Sequence, residues 1–228
     1  MLRLYYDLLS QPSRAVYIFM KKAKIPFKEM PVALRKGEHR TEEFAAINPF
    51  QLVPVIDDNG FKLTESIAIL RYLHRQFNVA DHWYPKDSRI QARVDEYLEW
   101  QHINTRVNGS MFFQHKFLLP KMFGREVNTR KVEEYQNKLE TTLHQFETVW
   151  LKDRPFIAGD QLTIADLLAA CELEQPSMAD YDVREGRPLL TAWFNRVKEA
   201  LQPEYDEAHN VVYIIRNKSG GKVSGAKL

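Results

Sequence analysis

The stretch Leu2-Arg-Leu-Tyr-Tyr-Asp-Leu-Leu-Ser10-Gln-Pro-Ser-Arg14-Ala-Val-Tyr-Ile-Phe19 changes its period part-way along. Leu2, Leu4 and Tyr6 alternate with Arg3 and Tyr5, the two-residue repeat of a half-buried strand. Ser10-Gln-Pro12 interrupts that repeat, and Val16, Phe19, Met20 and Ala23 then recur at helical spacing. Pro12 suits the first turn of this helix, because the N–H it lacks would have had no partner there. Ile25-Pro26 ends the helix, and Phe27 to Leu34 reads as a second strand. If the helix is the crossover between them, the two strands must lie parallel.

Working outward, Lys36 to Arg40 is a polar loop, and Thr41-Glu-Glu-Phe44 opens a short helix that stops before Asn48-Pro49. Val53-Pro-Val-Ile56, the turn Asp57-Asp-Asn-Gly60 and Phe61-Lys-Leu63 form a hairpin. Pro54 removes a ladder donor, so either that strand is an edge or the Val53–Pro54 bond is cis with the backbone turned toward something else. Thr64-Glu65-Ser66 caps a helix whose Ile69, Leu70, Leu73 and Phe77 form one apolar face. The order βαβαββα over residues 1–78 is the thioredoxin-like topology, an α/β unit.

Strand signals almost vanish after residue 78. Residues 79–87 read as a linker closed by Pro85, and residues 88–216 as an all-helical bundle domain, with amphipathic segments over 89–118, 128–151, 187–200 and 204–216. Thr163 and Asp166 have capping-box spacing, ahead of a run, Ile164 to Cys171, apolar on nearly every side and therefore expected at the centre of the bundle. Residues 217–228 are rich in Gly, Ser and Lys and read as a flexible tail. With 32 basic and 30 acidic residues the net charge is +2, so composition gives no reason to expect a nucleic-acid surface. No apolar run approaches the roughly 20 residues of a membrane span. One cysteine, Cys171, excludes an internal disulfide and Cys-x-x-Cys chemistry, and the seven histidines show no compact ligand spacing, so no metal is expected. A soluble, cytoplasmic protein is the expectation.

Three features carry chemistry. Ser10 stands where the first strand meets the first helix, a helix N-terminus with unpaired N–H groups and partial positive charge; taken alone, a Ser-x-Pro is more often a plain helix cap. Val53-Pro54 presents a backbone edge to an extended peptide. Glu65-Ser66, at a second helix N-terminus, offers a carboxylate to an ammonium group and a hydroxyl to a carboxylate, the complement of an amino-acid head.

Taken with Lys36-Gly-Glu-His39, Ala68-Ile69-Leu70, His82-Trp-Tyr-Pro85 and Glu185-Gly-Arg-Pro188, these stretches resemble a cytosolic glutathione transferase of the theta class, over residues 1 to about 215. The resemblance implies a homodimeric detoxification enzyme that joins the glutathione thiolate to apolar electrophiles, possessing in some members a peroxidase side activity, with glutathione as co-substrate and no cofactor. It implies that Ser10 hydrogen-bonds the sulfur. It further implies that Glu65 and Ser66 hold the γ-glutamyl head, that Val53 pairs with the cysteinyl amide beside a cis Pro54, and that His39 and Arg40 meet the glycyl carboxylate. Leu9, Arg106, Met111, Phe113 and Tyr213 would line the acceptor pocket. Where theta relatives carry a lysine just before the residue-Pro pair, this chain has Leu52, which predicts one lost carboxylate contact, with Gln51 as a weak substitute. Tyr6 shares the parity of Leu2 and Leu4 and reads as core or pocket wall. The alternative is a non-catalytic glutathione-transferase-like ligand-binding or assembly module; retention of Ser10, Glu65 and Ser66 favours the enzyme.

Overall fold

The computed structural model describes residues 1–218. β1 (Leu2–Tyr6), α1 (Gln11–Lys22), β2 (Lys28–Pro31), α2 (Glu42–Ala45), β3 (Val55–Asp58), β4 (Phe61–Leu63) and α3 (Ser66–Gln76) follow in the expected order. The sheet runs β2-β1-β3-β4, with β1 parallel to β2 and antiparallel to β3. Asn59 and Gly60 both take positive φ (52° and 98°), the conformation a tight hairpin turn between β3 and β4 requires.

The structure departs from the sequence reading at three places here. β2 stops at Pro31 instead of Leu34, because Leu34–Lys36 and Glu38–Arg40 curl into single 3-10 turns. Side chains hold that curl: Asp7 Oδ2 accepts from the Leu34 N–H at 2.9 Å and Glu38 Oε2 from the Ala33 N–H at 2.7 Å. β1 is not half-buried, since Tyr5 on the second face packs edge-on against Phe44 of α2 in a small core with Val32, Val53 and Val55. Finally, β3 begins only at Val55 and lies inside the sheet, so the edge-strand reading of Pro54 is wrong and the Val53–Pro54 bond is cis.

The second half is helical. α4 (Ser88–Trp100) is capped by Asp87, which accepts from the Arg89 and Ile90 N–H groups at 3.0 Å. The helix continues through a π turn at His102–Arg106, α5 (Val107–Phe113), a second π turn at Gln114–Leu118 and α6 (Leu119–Phe123). It ends at Gly124, whose φ of 60° closes it, and so outlasts the expected stop at Leu118. α7 (Thr129–Gln145), α8 (Ile164–Glu174), α9 (Pro188–Ala200) and α10 (Glu204–Lys218) complete the described chain. Asn217 and Lys218, assigned by composition to the tail, form the last turn of α10; the remainder of that expected tail, residues 219–228, lies outside the described residues.

Every residue of α8 is buried, as its apolar outline demands. α1 packs on α3 within its own half and on α8 and α10 of the other, so one continuous core joins the two halves. The N-terminal end of α8 is set by Asp166. Its carboxylate is fully buried and accepts from the Thr163 N–H, the Ile157 N–H and the Trp193 indole N–H, each at 2.9 Å, and from the Thr163 hydroxyl at 3.1 Å. Thr163 Oγ1 in turn accepts from the Ala165 N–H at 3.2 Å. Asp166→Ala strands these donors in the dry core, and we expect it to cost about 3–5 kcal/mol. Urea denaturation checks this; a loss under about 1 kcal/mol would contradict the role given to Asp166.

Candidate active site

The loop between β1 and α1 is built by Asp7 and Arg14. Asp7 Oδ1 accepts from the Leu9 N–H at 2.9 Å while its carbonyl accepts from the Ser10 N–H at 2.9 Å, turning the chain sharply out of the strand. Ser10 is the N-cap of α1, with extended backbone (φ −84°, ψ 122°). Its Oγ lies 3.4 Å from the Ser13 N–H and 3.5 Å from the Val53 carbonyl, both at the long limit for a hydrogen bond. The hydroxyl is held loosely, part-exposed, between its own helix and the cis Val53–Pro54 segment.

Arg14 lies one turn along α1 and is fully buried. Its direct hydrogen bonds go to neutral acceptors. Nη1 donates to the carbonyls of Leu8 at 2.9 Å and Leu9 at 3.4 Å, and Nη2 to the Cys171 carbonyl at 2.9 Å and Gln175 Oε1 at 2.7 Å. Gln175 Nε2 also donates to the Leu9 carbonyl at 3.4 Å. Leu9 is therefore fixed through its backbone from both halves of the molecule.

At the other helix N-terminus, Glu65 takes φ 63° and does not cap α3, which leaves the first-turn N–H groups of that helix open. A non-glycine residue at positive φ is strained, and such strain collects where ligands are clamped. Ser66 is buried, and its hydroxyl accepts from Arg106 Nη2 at 3.3 Å. Arg106 Nε donates to Glu172 Oε1 at 2.8 Å, whose side chain is 1% exposed. Arg106, read from sequence as an acceptor-side residue, is thus ion-paired and in contact with Ser66.

His39 and Arg40 stand together on the Glu38–Arg40 turn, His39 part-buried and Arg40 exposed. Burial, with a smaller contribution from Arg40, pulls the His39 pKa below its ordinary value. Gln51 Nε2 reaches the Arg40 carbonyl at 3.4 Å, while Leu52 is largely exposed. Met111 is part-exposed on α5, and Phe113 is buried and stacks on Phe117 at 5.6 Å. The Tyr213 hydroxyl donates to Asp206 Oδ1 at 2.9 Å, so it is engaged within its own helix. Tyr6 is buried in the main core, donates to Glu29 Oε2 at 2.6 Å and stacks on Tyr17, in keeping with the core reading. Among the described residues, no three His, Cys, Asp or Glu side chains gather to hold a metal, and no helix is long and apolar enough to cross a membrane.

Comparison with known proteins places this geometry. Residues 3–75 match the profile of the glutathione S-transferase N-terminal domain and residues 110–200 that of its C-terminal domain. The chain is 46% identical to glutathione S-transferase theta-1 of Bos taurus over 212 residues (92% of this chain, 88% of the relative). It is 46% identical to theta-2 of Rattus norvegicus over 222 residues (97% and 91%).

The chain belongs to the theta class of the glutathione S-transferase family.

The fold agrees throughout: human glutathione S-transferase T1-1 in its apo form superposes with a TM-score of 0.92 at 43% identity, covering 95% of this chain and 91% of that one. Human glutathione transferase theta-2, in complex with glutathione and an unknown ligand, superposes with a TM-score of 0.91 at 42% identity, covering 97% and 93%. The named relatives are transferases, which makes this chain an enzyme of glutathione conjugation and favours it over the non-catalytic module.

Sequence reasoning missed Asp7, Glu172 and the clamp role of Arg14. Glu172 was visible as one of the carboxylates, with Asp166 and Glu174, in a largely apolar helix, a position that demands a partner. In this transferase Arg14→Met removes the donor shared by the Leu8, Leu9 and Cys171 carbonyls and Gln175 Oε1. We expect a loss of about 2–4 kcal/mol in urea unfolding, with Arg14→Lys recovering less than half because a point ammonium cannot reach four acceptors. A loss below about 1 kcal/mol would contradict the clamp.

Proposed function

We propose that the Ser10 hydroxyl donates to the glutathione sulfur and holds it as the thiolate that attacks an apolar electrophile. The observation that carries this is the 3.5 Å separation of Ser10 Oγ from the Val53 carbonyl. A cysteinyl residue extended along the cis Val53–Pro54 backbone sends its side chain toward whatever flanks Val53, and the flanking donor is Ser10. Both ligand contacts are satisfied by one placement.

The energetics suffice without a general base. A thiol of pKa about 8.5 is only about 3% ionised at pH 7, and lowering the pKa by about two units takes about 2.7 kcal/mol of preferential thiolate binding. A charge-assisted hydrogen bond supplies about 1.5–3 kcal/mol, and the α1 N-terminus up to about 1–2 kcal/mol more. The proton leaves to water. Glu65 and Ser66 take the γ-glutamyl head, and His39, Arg40 and, through its proximity to Arg40, Gln51 take the glycyl carboxylate. Leu9, Met111 and Phe113 form the apolar acceptor side, to which Tyr213 contributes its ring. Aryl and alkyl halides, epoxides and hydroperoxides are the electrophile classes to assay. A cytoplasmic homodimer is the assembly we propose, after the family.

Ser10→Ala should lower kcat/KM about 10- to 100-fold at pH 7 with little change in glutathione affinity, as measured by conjugation kinetics and calorimetry. Unchanged turnover would defeat the proposal. A second outcome concerns His39, whose lowered pKa keeps it neutral at pH 7 and charges it only as pH falls below its ordinary value of 6.5. S-methylglutathione, which has no thiol to titrate, should therefore bind more tightly as pH is lowered through that range, and His39→Gln should flatten the dependence. A dependence that survives in His39→Gln would remove His39 from the glycyl site.

A further inference from the structure

The long helical hairpin of the second half ends in a tip that no part of the described chain covers. Residues 121–131 are exposed without a break, from the last turn of α6 through Gly124 to the start of α7. Among them Met122, Phe123 and Val127 are 60%, 55% and 44% exposed. We propose that this tip docks on the surface of an anionic lipid bilayer, with its apolar side chains entering the interface and its cations meeting the headgroup phosphates.

Charge is the first argument. The chain as a whole carries +2, yet residues 114–131 hold five Lys and Arg against one carboxylate, Glu126. Among the described residues this segment makes a single ion pair, Lys131 with Glu134 at 2.8 Å. Lys116, Lys121 and Arg125 lie instead over the rings of Phe112, Phe117 and Phe123, at 5.2, 4.9 and 5.1 Å, and Arg130 is exposed. A ring does not neutralise the cation above it, and the N–H donors that face outward stay open to a phosphate oxygen. Four cations are thus left without an ion-paired carboxylate, a charge complementary to an anionic headgroup layer.

Shape is the second. Gly124, at φ 60°, ends α6 and reverses the chain toward α7, so Met122, Phe123 and Val127 stand exposed on both sides of a sharp turn. A convex edge suits a soft planar surface, whereas a protein partner must itself supply a groove. Phe123 with Arg125 over it is already arranged for an interface, the ring for the acyl boundary and the guanidinium for the phosphate layer. Place in the molecule is the third. Phe113, on the proposed acceptor side, stacks on Phe117 at 5.6 Å, and Phe123 lies about 15 Å further along the same helix. Apolar electrophiles concentrate in bilayers, so docking by this tip brings the acceptor side close to where they dissolve. That consequence rests on the acceptor side proposed above; the docking itself does not.

The test is flotation of the full chain with vesicles of phosphatidylcholine alone and of phosphatidylcholine with about 30% phosphatidylserine, at low salt and at about 0.5 M salt. We expect partitioning at least about tenfold stronger onto the anionic vesicles, and its loss at high salt. Lys121→Glu/Arg125→Glu should lower that partitioning at least about tenfold, and Met122→Ser/Phe123→Ser about fivefold or more. Both pairs are exposed, so turnover of a water-soluble electrophile in free solution should stay unchanged. Charge reversal at Lys86 and Lys152, exposed at the opposite end of the hairpin, or at Lys222 and Lys227, should change partitioning less than about threefold. Equal binding to neutral and anionic vesicles, or no binding to either, would overturn the proposal, as would a loss at either control pair as large as that at the tip. If Met122→Ser/Phe123→Ser instead lowers the mass of the assembly in sedimentation velocity and leaves vesicle binding intact, the tip is a contact between copies of the chain and the proposal fails.

Discussion

A guanidinium with no access to water must find its partners inside the protein, and those that Arg14 finds determine where the loop carrying Ser10 sits. It remains charged despite the burial that depresses its pKa, because arginine does not release its proton in the protein range. The nearby carboxylates are engaged elsewhere, Glu172 with Arg106 and Glu174 with Arg184. What remains to Arg14 is neutral oxygens: the carbonyls of Leu8 and Leu9 on one side, the Cys171 carbonyl and Gln175 Oε1 on the other. The consequence is geometric. The two residues before Ser10 are tied to the most buried helix of the other half, so the backbone that carries the hydroxyl cannot drift from the Val53–Pro54 segment without breaking bonds in a dry core.

That arrangement explains how a weak functional group suffices. Serine is a poor acid and no base at neutral pH, yet a thiolate needs only a donor in a fixed place and a favourable local field. In the proposed mechanism Ser10 would offer the donor and the N-terminus of α1 the field. Cys171 shows the opposite environment: it is fully buried near Arg14, and desolvation pushes its thiol up to about 12, so it stays an inert packing residue. Between the halves the same economy recurs, with the Glu172–Arg106–Ser66 chain tying the second helix N-terminus to the same α8 that anchors the first through Cys171 and Gln175.

How much of this was legible in the sequence depends on whether the signal was local. The change of period across Ser10-Gln-Pro12, the Asn59-Gly60 turn and the Thr163–Asp166 capping box each depend on a few neighbouring residues, and each was readable. Burial of Tyr5 was not, since it depends on Phe44 arriving over the second face of the sheet, far along the chain. The early end of β2 was missed for a similar reason: a carboxylate of the preceding loop, Asp7, captures the Leu34 N–H. Pro54 could signal only that something irregular was needed; the interior place of β3 decided between the two readings. Among the proposed site residues, Ser10, Glu65 and Ser66 were visible because helix N-termini have local signatures, whereas Cys171, Glu172 and Gln175, the α8-side partners of Arg14 and Arg106, lie more than sixty residues away from them.

The central claim is that one loosely held hydroxyl at the start of α1 stabilises a thiolate, and the near-ultraviolet absorbance of enzyme-bound glutathione reads that species directly. Titrated against pH, the wild-type complex should show a thiol pKa about two units below that of free glutathione, and Ser10→Ala should move it back up by about one unit or more. A bound thiol that titrates like free glutathione in the wild type, or one whose lowered pKa is untouched by Ser10→Ala, would contradict the account.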